Sequence, residues 1–411
     1  MNYRIFPPQR VVGDISLPAS KSISNRVLLI RSLCDRPFEI VNLAQCDDTR
    51  VMERALTAKQ PTRVDVGAAG TAMRFLTAFF AMQEGRQVTI DGNDRMRHRP
   101  VGVLVDALRQ LGACVDYEEC EGFPPLKITG RKLQGGRLEM PGDVSSQFIS
   151  AILLIAPVIG GVELHITGEI TSRPYIDMTL GLMGEFGVEA HWTENQTIVV
   201  PAGQYVGFKW VVEADWSAAS YWFALQAVLP ESRITLNGLL PESLQGDSRI
   251  ATVMAQMKVA CHWRGTQLEL ETARQACCCC SNFADMNGTP DIAPTIVVAE
   301  CLLGRPFRIT GLKSLRIKES DRLEAMRQEL GKLGFALKIE ADDAVSWHFE
   351  TIEPANDVSI DTHGDHRMAM ALAVAAVRFP GIIIEKAEVV NKSYPDFWLH
   401  LRQCGFSITQ A

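Results

Sequence analysis

The chain has 411 residues, 47% of them hydrophobic and 22% charged, an ordinary globular composition with enough length for two domains of about 200 residues each. Its formal charge of −7 argues against general nucleic-acid affinity, yet it leaves room for a local cluster of cations around an anionic substrate. Met1 to Arg10 holds no apolar core of the signal-peptide kind, and the longest apolar stretches are cut by Pro157 and Gly160 or by charges, so a cytoplasmic protein without a membrane segment is expected.

Two kinds of predicted helix alternate along the chain. PASKSISNRVLLI from Pro18 opens on small polar residues and runs into an apolar helix, and TRVMERAL from Thr49 follows as an amphipathic one. The same pair recurs as AAGTAMRFLTAFF from Ala68 with RPVGVLVDALRQLGACVDY from Arg99, then as GDVSSQFISAILLIAP from Gly142 with RPYIDMTLGLMGEFGVEAHW from Arg173. Three further pairs complete the chain. They are EADWSAASYWFALQAV from Glu213 with SRIATVMAQMKVACHW from Ser248, MNGTPDIAPTIVVAECLL from Met286 with DRLEAMRQELGKLGFALKIE from Asp321, and GDHRMAMALAVAAV from Gly364 with YPDFWLHLRQCGFSI from Tyr394. The spacing is about 70 to 78 residues, except for a first interval of about 50.

Most amphipathic stretches end in Gly followed by an alternating apolar run, a helix C-cap feeding a strand. Each unit therefore reads strand, buried helix, strand, surface helix, strand. A helix as apolar as MAMALAVAAV must be surrounded by protein. Six such units divide most simply into two pseudo-threefold domains, near residues 18–213 and 214–411; a single long solenoid is the alternative.

The eleven cysteines are odd in number and mostly scattered, which suits reduced thiols. Cys277, Cys278, Cys279 and Cys280 are adjacent, too close to converge readily on one tetrahedral metal, and read as a variable loop. No metal or cofactor is expected.

The starts of the buried helices carry the polar chemistry. A helix N-terminus offers unpaired N–H groups and partial positive charge to phosphate or carboxylate. Lys21, Ser22 and Arg26 open the first; Gly70, Thr71 and Arg74 the second; Ser145, Ser146 and Gln147 the third; His366 and Arg367 the sixth. The amphipathic set adds Arg99, Ser172 with Arg173, RIKESDR from Arg316, and KSYPD from Lys392. Lys318 and Arg322 are four apart, so on a helix they would share a cationic face edged by Glu319. Singly these motifs have plain explanations: Ser-Ser-Gln as a cap, GAAGT as close packing, RIKESDR as a solvated helix start, Asp365-His366-Arg367 as a capped helix with a satisfied histidine. Their recurrence at matching positions is what points to a site for several anions.

On these residues the chain is similar to the 5-enolpyruvylshikimate-3-phosphate synthase family, nearly end to end. LPASKSISNR from Leu17, GTAMRFL from Gly70, RMRHRPVGVLVDALRQLGA from Arg95, VSSQF from Val144 and SRPYIDMTLGLM from Ser172 resemble family segments in order and spacing. So do DMNGTPDIA from Asp285, RIKESDRL from Arg316, DHRMAMA from Asp365 and KSYPDFW from Lys392. The resemblance implies an α/β fold of two inside-out α/β barrels, each of three βαβαββ repeats, with residues 1–17 joining the C-terminal domain and the substrates held between the domains. It also implies a monomer that transfers the enolpyruvyl group of phosphoenolpyruvate to the 5-hydroxyl of shikimate 3-phosphate without a cofactor.

By position, the resemblance assigns Ser145, Ser146 and Ser172 to the phosphate of shikimate 3-phosphate, and Ser22 and Arg26 to its carboxylate, with Gln147 and Tyr175 flanking. Lys21, the Gly70 backbone, Arg99 and Lys392 would meet the phosphoenolpyruvate phosphate, and Arg322 and Arg367 its carboxylate, with Gln147 also contacting phosphoenolpyruvate. Asp291, Lys318 and Lys21 would act near the reacting groups, with Glu319 as acid and base at the methylene. Two places depart from the family: Ala68 stands where Asn is usual, removing one side-chain hydrogen bond, and near Ser314 the polar contact differs from a common Asn. The sister family acting on UDP-N-acetylglucosamine usually carries a Cys in the loop before the Arg-Pro that aligns with Arg99-Pro100, and here that loop, DGNDRMRH, has none. A non-catalytic anion-binding module is the other alternative, and Asp291 and Glu319 argue against it, since anion binding gains nothing from nearby carboxylates.

Overall fold

The computed structural model describes residues 1–275, 285–341 and 343–411, so the cysteine run 277–280 lies outside the described residues. The chain forms two compact units, Ser20–Val212 and Met1–Ala19 with Glu213–Ala411.

In the Ser20–Val212 unit the helices Lys21–Leu33, Gly70–Ala81 and Ser146–Ile155 pack on one another, as their apolar circumference requires. All twelve residues of Gly70–Ala81 are buried. The amphipathic helices Asp47–Thr57, Gly102–Gln110 and Arg173–Glu185 cover them. Asp47–Thr57 buries Asp48, Thr49, Met52 and Ala55, a single face at three- and four-residue spacing. In the other unit Ala293–Leu302 packs on both Trp216–Val228 and His366–Ala373, and Ile250–Ala255, Arg322–Lys332 and Phe397–Gln403 are the amphipathic partners.

The strands repeat as regularly. Each of the four four-stranded sheets has one parallel pair at an edge followed by two antiparallel pairs. The parallel pair brackets a buried helix, as when Gly136–Pro141 and Val162–Thr167 flank Ser146–Ile155. After the amphipathic helix comes a pair of antiparallel strands where the sequence pattern had suggested one, so the repeat is βαβαββ. The first repeat is reduced to Ile40–Val41 beside Trp210–Val211, which accounts for the short first interval. Tyr3–Phe6 pairs with Ile382–Ile384 and Ser407–Gln410, and Val12–Ser16 with Arg233–Asn237.

Four of the amphipathic helices end identically. Gly112, Gly187, Gly334 and Gly405 all adopt positive φ. In each case the next residue's N–H reaches back over the last turn, as in Ala113 N to Leu108 O at 3.0 Å and Phe406 N to Leu401 O at 3.1 Å. This left-handed close satisfies orphan carbonyls and turns the chain into the next strand. After Ile250–Ala255 the same conformation falls to Lys258, at φ 63°. Among the described residues no helix is long and apolar enough to cross a membrane.

Candidate active site

Within the Ser20–Val212 unit, the sequence-predicted site residues gather at the starts of the three buried helices and in the loops beside them. Ser20 caps the first buried helix, which places Lys21 and Ser22 at its N-terminus. Lys21 Nζ lies 3.5 Å from Asp48 Oδ2. One turn on, the buried Arg26 guanidinium bonds Thr179 Oγ1 at 2.8 Å, Ser22 O at 3.0 Å, and both Ser150 Oγ and Tyr175 O at 3.2 Å. Four of its five N–H groups thus have partners within the unit. Burial, opposed weakly by Tyr175, brings its pKa down to about 10, so it stays charged at neutral pH.

Ser150 shares its helix with Ser145, Ser146 and Gln147; Ser145 caps it and accepts from Gln147 N. Thr171 ties the neighbouring loop in, donating to Val144 O at 3.0 Å. That contact sets Ser172, buried and in the left-handed region at φ 55°, beside the same helix start. Gln147 Nε2 donates to Thr71 Oγ1 at 3.1 Å, which reaches the second buried helix.

At that second helix start, Gly70 is the seat of Arg99: a Cβ added there would lie 2.7 Å from Arg99 Nη1. Two features hold the Arg99 loop. Gly92 packs against Gly67 O so closely that a Cβ would fall 2.6 Å from it. Arg74 donates to Gly70 O at 3.1 Å and to Pro100 O at 3.3 Å, bridging the glycine loop and the Arg-Pro loop.

The Glu213–Ala411 unit gathers the remaining predicted residues around one guanidinium. Arg322, 1% exposed, bonds Asp365 Oδ2 at 2.7 Å, Glu319 Oε2 at 2.9 Å and Asp291 Oδ1 at 3.0 Å. Asp291 also meets Arg367 Nη2 at 2.8 Å and Lys318 Nζ at 3.5 Å, while Glu319 Oε1 receives Lys392 Nζ at 2.6 Å. Burial pulls the Arg322 pKa down, but Asp365, Glu319 and Asp291 outweigh it and raise it above the ordinary value. Burial likewise works to raise Asp291, and Arg367, Lys318 and Arg322 together hold it well below the usual carboxylate range. Asp247, beside Ser217 Oγ, is pushed up to about 6, first by burial and then by the charge of Asp291.

One expectation needs correction. Lys318 and Arg322 do not share a helical face, because Asp321 caps the helix through Glu324 N and the helix begins at Arg322. Lys318 is extended, and the two cations meet instead through Asp291 Oδ1. The capped-helix reading of Asp365-His366-Arg367 holds, with Asp365 Oδ1 accepting from Arg367 N at 2.9 Å.

Sequence reasoning missed Asp48, Asp247, and Asp365 as the anchor of Arg322. Asp365 carried a partial signal as the capping residue at the start of a strongly apolar helix, where a carboxylate that becomes buried requires a cation. Asp48 and Asp247 carried none, since acids in a first helical turn are common.

Residues 5–60 and 53–401 match the family described as EPSP synthase (3-phosphoshikimate 1-carboxyvinyltransferase). A Bacteroides fragilis (strain YCH46) protein named 3-phosphoshikimate 1-carboxyvinyltransferase is 48% identical over 409 residues, 99% of each chain. One of the same name from Shewanella halifaxensis (strain HAW-EB4) is 41% identical over 425 residues, covering 96% of this chain and 97% of its own. The fold is that of an EPSP synthase from Acinetobacter baumannii, with TM-score 0.75 at 20% identity over the full length of both chains. Sequence match, relatives and fold agree, and the chain belongs to the EPSP synthase family.

Proposed function

We infer that the chain is a 3-phosphoshikimate 1-carboxyvinyltransferase, joining phosphoenolpyruvate to the 5-hydroxyl of shikimate 3-phosphate and releasing phosphate, a step of aromatic biosynthesis carried out in the cytoplasm. In the addition, the phosphoenolpyruvate methylene takes a proton, the adjacent carbon becomes electrophilic, and the hydroxyl oxygen bonds to it as its own proton leaves. In the elimination, the new methyl group returns a proton as the carbon–oxygen bond to phosphate breaks. Two phosphates and two carboxylates must be held together, and each like-charge pair at about 4 Å costs roughly 4 kcal/mol at an effective dielectric of 20. Cations and helix N-termini offset that cost.

In this reading Ser145, Ser146 and Ser172 hold the shikimate phosphate, and Ser22 with the remaining Arg26 N–H meets the carboxylate, flanked by Gln147 and Tyr175. Lys21, Gly70 N–H, Arg99, Gln147 and Lys392 hold the phosphoenolpyruvate phosphate, with Arg322 and Arg367 at its carboxylate. Asp291, ionised among three cations, accepts from the reacting hydroxyl beside Lys318. Glu319 moves the proton at the methylene, acid in one direction and base in the other. The observation that carries the reading is the sharing of Arg322 by Asp291 and Glu319. Carboxylates fixed among cations suit proton transfer on an anion and weaken simple anion binding.

The test is a phosphate-release assay with phosphoenolpyruvate and either shikimate 3-phosphate or UDP-N-acetylglucosamine as acceptor. Release is expected with the first alone. Release that depended on the UDP-sugar would reverse the assignment.

A further inference from the structure

Beside Lys392 runs a buried hydrogen-bond chain that the reaction scheme leaves unused. Trp222 Nε1 lies 3.2 Å from Tyr394 Oη, and Tyr394 Oη lies 2.8 Å from His400 Nδ1. Trp222 and Tyr394 are fully buried; His400 is half-buried on the helix Phe397–Gln403. Chemistry sets the direction of the chain. An indole N–H can only donate, so Tyr394 Oη accepts from it, and of these two partners only His400 Nδ1 can take the phenol's own hydrogen, which would otherwise be orphaned in a buried site. That requires a lone pair on Nδ1, hence a neutral imidazole protonated at Nε2.

Tyr394 is two residues from Lys392. Both Ser393 N and Tyr394 N bond Val390 O, at 3.0 and 2.8 Å, so the phenol and the lysine belong to one short turn. Lys392 Nζ ends 2.6 Å from Glu319 Oε1.

We propose that Tyr394 and His400 are positioning residues for Lys392, anchoring its turn through the phenol only while His400 is neutral. A proton added at Nδ1 would replace the acceptor with a second donor and orphan the phenolic hydrogen in a buried site. The turn then loosens, and Lys392 loses its aim at Glu319 and at the phosphoenolpyruvate phosphate. The inference rests on the proposed function for that last link.

The charged and titratable groups around the chain are few. Asp396 favours the proton on His400; Asp396, Cys404 just after that helix, and Asp215 at the start of Trp216–Val228 act on Tyr394. Burial outweighs Asp396 and holds the His400 pKa below its ordinary value, while burial drives Tyr394 well up. The folded protein therefore binds this proton less readily than the unfolded chain. The stability contributed is complete above the unfolded imidazole value of about 6.5 and is lost as pH falls from there through the lower folded value.

The test uses the full chain as wild type, Tyr394→Phe and His400→Asn, the last retaining an acceptor that does not titrate. In wild type, KM for phosphoenolpyruvate should rise more steeply from pH 7.5 to 5.5 than in either variant; ionisation of the substrate's own phosphate affects all three equally. At pH 7.5, Tyr394→Phe should raise that KM about three- to tenfold, the scale of one lost hydrogen bond, and His400→Asn should stay near wild type. Histidine-labelled NMR without substrate tests the chain independently of the reaction: the Nε2–H tautomer is expected at neutral pH, with a pKa that climbs in Tyr394→Phe. An Nδ1–H tautomer, or three superposable pH profiles, would overturn the proposal.

Discussion

The two units hold their central arginines in opposite ways. In Ser20–Val212, Arg26 is surrounded by hydroxyls and carbonyls, Arg99 rests on the Cβ-less face of Gly70, and Lys21 has Asp48 at 3.5 Å. In Glu213–Ala411, Arg322 alone touches three carboxylates, and Lys318, Arg367 and Lys392 touch two of those three again. The first arrangement suits holding an anion that arrives with its charge. The second fixes carboxylates among cations and keeps Asp291 ionised, which proton transfer needs and binding alone does not.

Exchanging Glu319 for Gln is the largest test of that contrast. The amide keeps the shape and one oxygen for Lys392 or Arg322, loses the charge and the other ion pair, and cannot move a proton. Turnover should fall by about 10²- to 10⁴-fold, the usual share of a positioned acid or base, with KM for both substrates within a few-fold. Unchanged turnover would remove the proton role and leave the two units alike as anion holders.

Next comes a pair of arginines compared by stability. Arg322→Leu leaves Asp365 fully buried without its main partner and strips Asp291 and Glu319 of one each. Breaking such a network costs about 3–5 kcal/mol, because the orphaned charges stay desolvated. Arg26→Leu orphans only neutral groups, and Ser150 and Thr179 already bond each other at 2.8 Å, so about 1–3 kcal/mol is expected. Urea unfolding of both variants decides; equal losses would mean that the contrast in partners has no energetic weight.

Much of this was legible beforehand, and what was missed has a common cause. The alternation of buried and amphipathic helices follows from periodicity, and the left-handed closes at Gly112, Gly187, Gly334 and Gly405 follow from glycine after an amphipathic run. The same signal gave no warning of Lys258, which takes that conformation without being glycine. The partners of the site residues are far apart in sequence: Arg322 with Asp365, Gln147 with Thr71, Arg367 with Asp291. Periodicity describes which face of an element is buried and says nothing about which polar group on another element meets it. Lys318 failed for a local reason, since a four-residue spacing implies a shared face only inside a helix, and Asp321 starts the helix after it.

The smallest expected effect gives the sharpest separation between binding and stability. Gly70 is the first residue of its helix and has no positive φ, so alanine suits the backbone and should stabilise the chain by about 0.5–1 kcal/mol. Its Cβ would meet Arg99 Nη1 at 2.7 Å, and because that is the end of a flexible side chain, the guanidinium moves away instead of the helix. Gly70→Ala should therefore unfold at slightly higher urea while KM for phosphoenolpyruvate rises by up to about tenfold, the scale of one displaced charge-assisted hydrogen bond, with KM for shikimate 3-phosphate unchanged. An equivalent rise in both KM values would mean that Arg99 serves the site as a whole. No rise in either would detach Arg99 from phosphoenolpyruvate and leave the proposed phosphate site to its other groups.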